Sequence, residues 1–180
     1  MFECSASMFQ TMTVCPQRYH FAYTDGEGYG IKPDRKSKDL TFGSIWHAGM
    51  EAHYSGADAY QAMLAEAAGQ MQEMEQVWDE DREVFAEQVA FAEAMYRNYL
   101  LYEETHPLPG VTVAVEQEFR TPIPGPKGGR TRGLFRGKVD LVRSDDYGVW
   151  PVDHKSLSAF GESWEAENQL SRQFRWYAWA

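Results

Sequence analysis

A chain of 180 residues, 43% hydrophobic and 24% charged, has the size and composition of about one folded domain, which excludes a disordered chain and a disulfide-stapled miniprotein. Its uncharged apolar stretches fall short of the roughly 20 residues of a membrane span, and its N-terminus, MFECSASMFQ, lacks the basic start of a secretory signal. The net charge of −10, taken as a whole, argues against a nucleic-acid partner, because phosphate binding requires lysine and arginine.

The first half of the chain has the pattern of helices. Apolar residues at helical spacing predict a first helix over residues 5–22, with Ser5 or Ser7 as its N-cap and a break at Pro16. A polar, glycine-rich loop is expected over residues 24–39. Three further helices are predicted over residues 42–54, 58–78 and 79–104.

The second half changes to the two-residue period of strands. Alternating apolar residues predict strands over residues 111–119, 132–143 and 148–155, with the turn PGPKGG between the first two. Pro151 lacks the N–H of a central strand, so it indicates an edge, a bulge or a first residue. Helical spacing returns over residues 162–180. Because helix-rich and strand-rich runs are segregated, we expect an α+β fold, or a mixed α/β sandwich.

The charge is unevenly distributed along the sequence. Residues 57–106 hold twelve acids and two bases, which accounts for the whole net charge, and the simplest interpretation is a solvated helical face. Residues 120–143 hold seven bases and one acid, Asp140. The acidic total therefore does not exclude a polyanionic partner.

Two segments, GKVDLV and PVDHKS, each place an aspartate in or beside an apolar strand. A buried carboxylate is costly unless it is paired or binds a metal. If the two strands form a hairpin, Asp140 lies near Asp153, and Lys155 shares the face of Asp153 because side chains alternate along a strand. Two carboxylates beside a lysine suit Mg²⁺ or Mn²⁺. The alternative, which the tripeptide DHK alone favours, is a simple ion pair between Asp153 and Lys155.

Three other segments carry side chains that could belong to a site. His47 lies in FGSIWHAGMEAHY, with Glu51 one helical turn later. Gln173 and Tyr177 share a helix face in QLSRQFRWY, and Cys15 precedes a proline in a basic, aromatic segment. Each also has an ordinary interpretation as a packed or exposed residue.

Taken together and in this order, these segments resemble the RecB-type branch of the PD-(D/E)xK nuclease superfamily. That branch has an N-terminal CP-x-R segment with an aromatic residue, a helical insertion, a G-x-x-x-H helix, an acid on an early strand, G-x-(V/I)-D, D-x-K and Q-x-x-x-Y. The corresponding segments here are SASMFQTMTVCPQRYHF, GSIWH, VEQEF, GKVD, DHK and QFRWY. The resemblance implies a restriction-endonuclease-like core, with a small mixed β-sheet flanked by helices. It also implies a single nuclease domain over residues 1–180, with an acidic helical insertion at about 57–106.

The resemblance assigns roles to individual residues. The implied metal ligands are His47, Asp140, Asp153 and the backbone carbonyl of His154. The implied catalytic residues are Asp140, Asp153, Lys155, Gln173, Tyr177 and, as an accessory acid, Glu116. Of these, Lys155 would orient or activate the attacking water and offset charge on the phosphate, and a role as general base is a further hypothesis.

The implied activity is that of a Mg²⁺- or Mn²⁺-dependent deoxyribonuclease, most simply an exonuclease in recombination, repair or phage DNA processing. It would work in the cytoplasm of a bacterial or phage-infected cell, with a helicase or recombinase as a candidate partner. The bases expected to hold DNA phosphates independently of sequence are Arg120, Arg130, Arg132, Arg136, Lys138 and Arg172. Two alternatives stay open, a CRISPR-adaptation-type nuclease and a module on the same fold that binds DNA without cutting it.

The cysteines bear on a cofactor that some members of this family carry. Those members hold an iron–sulfur cluster on a cysteine where Cys15 stands and on three more that follow the Q-x-x-x-Y helix, whereas this sequence ends at Ala180 without them. We expect no cluster, with Cys15 as a buried structural thiol. Because the family usually continues further, we expect a short or truncated member.

Overall fold

A computed structural model describes residues 2–24, 38–74, 77–125, 131 and 133–155 of the chain. Some predictions therefore concern residues outside these ranges. They are most of the loop over 24–39 and of the turn PGPKGG, the helix over 162–180, the catalytic residues Gln173 and Tyr177, and the phosphate-binding residues Arg130, Arg132 and Arg172.

The N-terminal segment forms a short strand and two helices that are separated at a proline. The elements are β1 (Phe2–Cys4), α1 (Ala6–Val14), α2 (Pro16–Tyr19) and a π-helical turn (His20–Thr24). Ser5 is the N-cap of α1, because its hydroxyl accepts a hydrogen bond from the Met8 N–H at 3.3 Å. The predicted break at Pro16 is confirmed, since proline has no N–H to continue the helical ladder. The three residues of β1 are too few for a sequence pattern to predict.

Both cysteines are free thiols. Cys4 is buried in β1, and burial raises the pKa of its thiol. Cys15, expected to be buried, is only half-buried, because it is the N-cap of α2 and its sulfur accepts a hydrogen bond from the Arg18 N–H. A sulfur that satisfies an open helix N–H stays at the helix end rather than in the core.

Three longer helices follow in the predicted order, although the first begins before residue 42 and the second ends before residue 78. They are α3 (Lys38–Tyr54), α4 (Ala59–Gln72) and α5 (Asp79–Thr105). Asp58 caps α4 by accepting hydrogen bonds from the Tyr60 and Gln61 N–H groups, and Asp81 accepts one from the Trp78 N–H at the start of α5. Across the described part of the chain, no helix combines the length and the apolar character needed to cross a membrane.

The helices α3, α4 and α5 bury a shared apolar core. Buried residues recur in adjacent pairs four positions apart along α3, so one face of this helix is turned inward. Gly49 permits close packing against α4, because a Cβ there would lie 2.1 Å from Cε of Met63. Most of the described acids in residues 57–106 are exposed, as expected for a solvated face. The buried core residues are Phe42, Ile45, Trp46, Met50, Ala52, Ala59, Met63, Ala67, Phe85, Ala92 and Tyr96.

The strands form one small mixed sheet. Its longer members are β2 (Val111–Ile123), β3 (Gly133–Asp145) and β4 (Gly148–Val152). β3 lies between β1 and β2, pairs in parallel with β1 and pairs antiparallel with β4. The expected fold class, helices with a small mixed sheet as in restriction endonucleases, is thereby confirmed.

β3 and β4 form the hairpin that the two aspartate segments require. The Asp145 carboxylate closes its turn by accepting hydrogen bonds from two backbone N–H groups, at 2.8 and 3.1 Å. The register pairs Leu141 with Val152. Continued by one residue, this register sets Asp140 opposite Asp153.

The connection from α5 to β2 is held in place by Arg143 of β3. Its guanidinium donates hydrogen bonds to the carbonyls of residues 108–110 and to the hydroxyl of Thr112. Gly110 has a φ of 75°, and a Cβ there would lie 2.2 Å from a carbonyl oxygen of β3, so this turn requires glycine. These contacts therefore fix the point at which β2 begins.

The chain divides into two compact units. The described residues of the first fall within Met1–Asp34 and Gln117–Val139, and those of the second within Arg35–Glu116 and Asp140–Ser158. The second unit contains α3, α4, α5 and β4, together with every described residue that the sequence predicts as a metal ligand. A single nuclease domain over residues 1–180 stays a prediction.

Candidate metal centre

Three side chains from three different elements converge in the second unit. His47 of α3, Glu116 of β2 and Asp140 of β3 each offer a ligand atom, and these atoms all lie within 4.8 Å of one another. All three residues are half-buried, and the side chains of His47 and Asp140 are 34% and 13% exposed. An imidazole and two carboxylates have therefore been brought together at the edge of the core rather than in open solvent.

One carboxylate oxygen of Asp140 has two polar neighbours. The backbone N–H of His154 donates to Oδ2 at 2.8 Å, and Nδ1 of His47 lies 3.4 Å from the same atom. Burial raises the pKa of Asp140 above its ordinary value, although the His154 amide and the His47 ring act to lower it. The site thus carries an electrostatic cost that a cation would offset.

Glu116 has an unusual backbone conformation. Its φ of 51° lies in the left-handed region, which costs a residue with a Cβ about 1–2 kcal/mol. The alternation of burial along β2 is interrupted here, where Ala114, Val115 and Glu116 are all half-buried. A local kink of this kind re-aims a side chain and is common next to functional sites. Nothing in the letters VEQEF predicts it, since glycine or asparagine would be the usual signal.

Asp153 and Lys155 form the ion pair that the sequence left as the simpler alternative. Nζ of Lys155 lies 2.7 Å from Oδ2 of Asp153, whose side chain is only 2% exposed. The Asp153 carboxylate is not one of the three groups that converge within 4.8 Å, but its charge contributes to the raised pKa of Asp140. Lys155 is 41% exposed, so its ammonium group combines a fixed anchor with access to solvent.

His154 contacts Asp140 through its backbone N–H, and its ring packs against a neighbouring tyrosine. Burial, followed by the influence of His47, lowers the pKa of the His154 imidazole to about 4, so the ring is neutral near pH 7. Its plane stacks on the ring of Tyr54, with centroids 5.6 Å apart and an interplanar angle of 16°. The predicted role of its carbonyl as a metal ligand stays a prediction.

A second cluster, which the sequence does not single out, lies between the C-terminal ends of α3 and α5. We call it the Glu103 cluster; its members are His53, Tyr54, Tyr96, Tyr99 and Glu103. The Glu103 carboxylate accepts hydrogen bonds from Nε2 of His53 at 3.0 Å and from the hydroxyls of Tyr54 and Tyr99 at 3.2 and 3.3 Å. Nδ1 of the same His53 ring forms a hydrogen bond of 2.9 Å with the Tyr96 hydroxyl.

The described bases that were expected to hold phosphates lie on β2 and β3. Arg120 and Arg136 flank Glu3, at 4.0 and 3.5 Å, with 65% and 53% of their side chains exposed. Lys138 is also exposed. Because exposed ion pairs are weak, the two arginines remain accessible to an anionic ligand.

The fold and the site together define a class of protein. The described residues form helices and a small mixed sheet, His47 of α3 converges with Glu116 and Asp140 of the sheet, and the Asp153–Lys155 ion pair follows directly after β4. The family model of the PD-(D/E)XK nuclease superfamily matches residues 3–180, so the chain belongs to this superfamily and is by family a nuclease. Among curated proteins, none matches the sequence significantly. The RecB-type branch is a finer assignment and stays a prediction.

The converging side chains fit the divalent cation that nucleases of this superfamily typically use. Carboxylate oxygens are preferred ligands of Mg²⁺ and Mn²⁺, and an imidazole is acceptable to Mn²⁺ and other transition metals. Ligands on opposite sides of a Mg²⁺ ion are about 4 Å apart, so atoms within 4.8 Å of one another can close around one ion with small side-chain movements. The donor set does not choose between Mg²⁺ and Mn²⁺.

Proposed function

We propose that this protein is a nuclease that hydrolyses phosphodiester bonds of DNA with a divalent cation, Mg²⁺ or Mn²⁺. The observation that carries the proposal is the convergence of His47, Glu116 and Asp140 within 4.8 Å. Two carboxylates this close repel each other, and Asp140 is also penalised by burial. A bound cation would remove both costs, which gives the arrangement a chemical purpose that a structural role does not.

In this proposal each described residue has a defined task. His47, Glu116 and Asp140 hold the cation, which when bound would promote a nucleophilic water and offset negative charge on the phosphate. Asp153, nearly fully buried, anchors the Lys155 ammonium group. Lys155 then presents a positive charge to the phosphate and orients the attacking water, as the resemblance implies. Gln173 and Tyr177 would support the DNA strand.

The finer proposal is an exonuclease of the RecB-type branch that acts in recombination, repair or phage DNA processing. The ordered motifs of the sequence support this assignment, and a DNA-processing enzyme of this kind would work in the cytoplasm. Exposed Arg120, Arg136 and Lys138 support binding to phosphates without regard to base sequence. Their contribution would appear as a steep loss of DNA affinity with increasing salt. A helicase or recombinase partner is part of the same proposal.

The experiment compares linear duplex, single-stranded and circular DNA with Mg²⁺, with Mn²⁺ and with a chelator. Asp140→Asn is the test variant, since it retains the acceptor for the His154 N–H but loses the charge. Asp145→Asn is the matched control on the same strand, because Asp145 closes the hairpin turn and lies outside the converging group. We expect Asp140→Asn to lower the cleavage rate by about 1,000-fold or more, and the control to retain it.

Three outcomes distinguish an exonuclease, an endonuclease and a binding module. Metal-dependent digestion of linear but not circular DNA supports an exonuclease, and digestion of both supports an endonuclease. DNA binding without cleavage under either metal would overturn the catalytic proposal in favour of a binding module.

A further inference from the structure

We propose that Tyr54 and Glu103 are positioning residues for the Asp140 carboxylate and act on it through His154. The proposal rests on the proposed function, because it concerns the cation site of that function. It assigns a role to the Glu103 cluster, whose residues belong to none of the motifs in the sequence.

The chain of contacts begins at Glu103. Its two oxygens accept three hydrogen bonds, one from His53 and one each from Tyr54 and Tyr99. The hydroxyls of Tyr54 and Tyr99 also contact each other. Burial raises the pKa of both phenols above the ordinary value, so both remain protonated donors at neutral pH. Tyr54 is therefore held at its hydroxyl end by several partners at once.

The second contact passes from Tyr54 to His154. The two rings lie nearly parallel, 16° apart, with centroids separated by 5.6 Å. The His154 residue is half-buried, and its buried Nε2 has no hydrogen-bond partner among the described residues. The stack on Tyr54 is thus a principal restraint on the orientation of this ring.

The third contact passes from His154 to the cation site. The ring belongs to the residue whose backbone N–H donates to Oδ2 of Asp140 at 2.8 Å. If loss of the stack allowed the whole His154 residue to shift, this N–H would move with it, and Asp140 would lose the donor that fixes one of its oxygens. Partners of this kind behind a metal ligand typically change metal affinity by about 10- to 100-fold.

Two substitutions separate the hydroxyl of Tyr54 from its ring. Tyr54→Phe removes the hydrogen bond to Glu103 and keeps the stack, whereas Tyr54→Leu removes both. Tyr102→Leu is the matched control, because Tyr102 stacks on His106 of the same helix end, at 4.5 Å and 6°, and is 58% exposed. Each of the three variants loses a hydroxyl or aromatic packing, but only the two variants at Tyr54 change a residue that stacks on His154.

The readouts are the Mn²⁺ dissociation constant by titration calorimetry and the amide hydrogen exchange of His154, both measured well below the unfolding temperature of each variant. We expect Tyr54→Leu to weaken Mn²⁺ binding by about 10-fold or more and to speed His154 exchange. Tyr54→Phe should have an intermediate effect, and Tyr102→Leu should match the wild type. A merely structural role would lower the unfolding temperature and leave the Mn²⁺ affinity of the folded protein unchanged.

The outcomes distinguish this inference from the function on which it rests. Wild-type Mn²⁺ affinity and His154 exchange in a folded Tyr54→Leu, or in Tyr54→Phe and Glu103→Gln if Tyr54→Leu does not fold, would overturn the positioning role alone. A wild-type protein that neither binds Mn²⁺ nor cuts DNA would overturn the proposed function and this inference with it.

Discussion

The helix α3 presents two histidines six positions apart, and each meets acidic side chains in a different way. His47 lies with two carboxylates, Glu116 and Asp140, within 4.8 Å, whereas His53 meets the single carboxylate of Glu103. At Glu103 two phenol hydroxyls complete the hydrogen bonding, so the cluster is balanced by its own donors. At His47 two carboxylates converge on one imidazole, and Asp140 also accepts a hydrogen bond from the His154 N–H. The comparison teaches that the number of carboxylates that converge on each histidine, rather than the residue types alone, separates the Glu103 cluster from the candidate cation site.

The largest expected effect is on the free energy of unfolding, to which the Glu103 cluster contributes. Glu103→Ala should lower the free energy of unfolding by about 2–4 kcal/mol, because it leaves the imidazole and two hydroxyls without their shared acceptor. Urea unfolding measures the change. Glu104→Ala, at the exposed neighbouring position of α5, is the control and should change stability by less than about 0.5 kcal/mol. Equal effects of the two substitutions would remove the structural role assigned to Glu103.

The second prediction compares the replacement of each of the two histidines by alanine. His47→Ala should weaken Mn²⁺ binding by about 10- to 100-fold, equal to about 1.4–2.7 kcal/mol, with little change in stability. His53→Ala should mainly lower stability, since it removes a donor to Glu103 and leaves the cation ligands in place. Calorimetric titration measures the Mn²⁺ affinity of both variants, and urea unfolding measures their free energy of unfolding. Parallel losses in both variants would show that the two clusters are not chemically distinct.

The third prediction concerns the strained backbone of Glu116 in the proposed cation site. Glu116→Gly should be more stable than Glu116→Ala by about 1 kcal/mol, because only glycine accepts a φ of 51° without cost. Both variants should lose Mn²⁺ affinity to the same degree, since both lack the carboxylate. If the alanine variant is as stable as the glycine variant, the positive φ does not persist in solution.

The smallest effect at neutral pH concerns the tyrosines of the Glu103 cluster. Burial raises the pKa of Tyr54, Tyr96 and Tyr99 above the unfolded value of about 10. Their contribution to stability is therefore complete below about pH 10 and is lost as the pH rises through the higher folded values. Phenolate absorbance measured against pH should show Tyr54, Tyr96 and Tyr99 ionising only above about pH 10 in the folded protein. Ionisation of these three tyrosines below that pH would contradict the burial of the cluster.

Much of the fold follows from local pattern. The apolar periodicity predicts the central parts of α3 and α4 and nearly all of α5, and the proline predicts the break at Pro16. The sequence offers the hairpin of β3 and β4 only as a condition, which the register of the two strands meets. Within one helix or strand, buried positions repeat every few residues, so the apolar pattern of a single sequence is enough to predict them. The motifs also name His47, Glu116 and Asp140 individually, and the family match over residues 3–180 confirms the superfamily.

The sequence by itself therefore determined the fold class, the superfamily and the residue types available to the site. Only the tertiary structure decided which acids converge, and it places Glu116 rather than Asp153 in the group with His47 and Asp140. It also turned Glu103, one of the acids expected on a solvated face, into the centre of a hydrogen-bonded cluster behind His154. The physical reason is that these contacts join residues up to about a hundred positions apart. Their distances depend on the packing of α3 and α5, on the register of the sheet and on one strained φ, which no local pattern records.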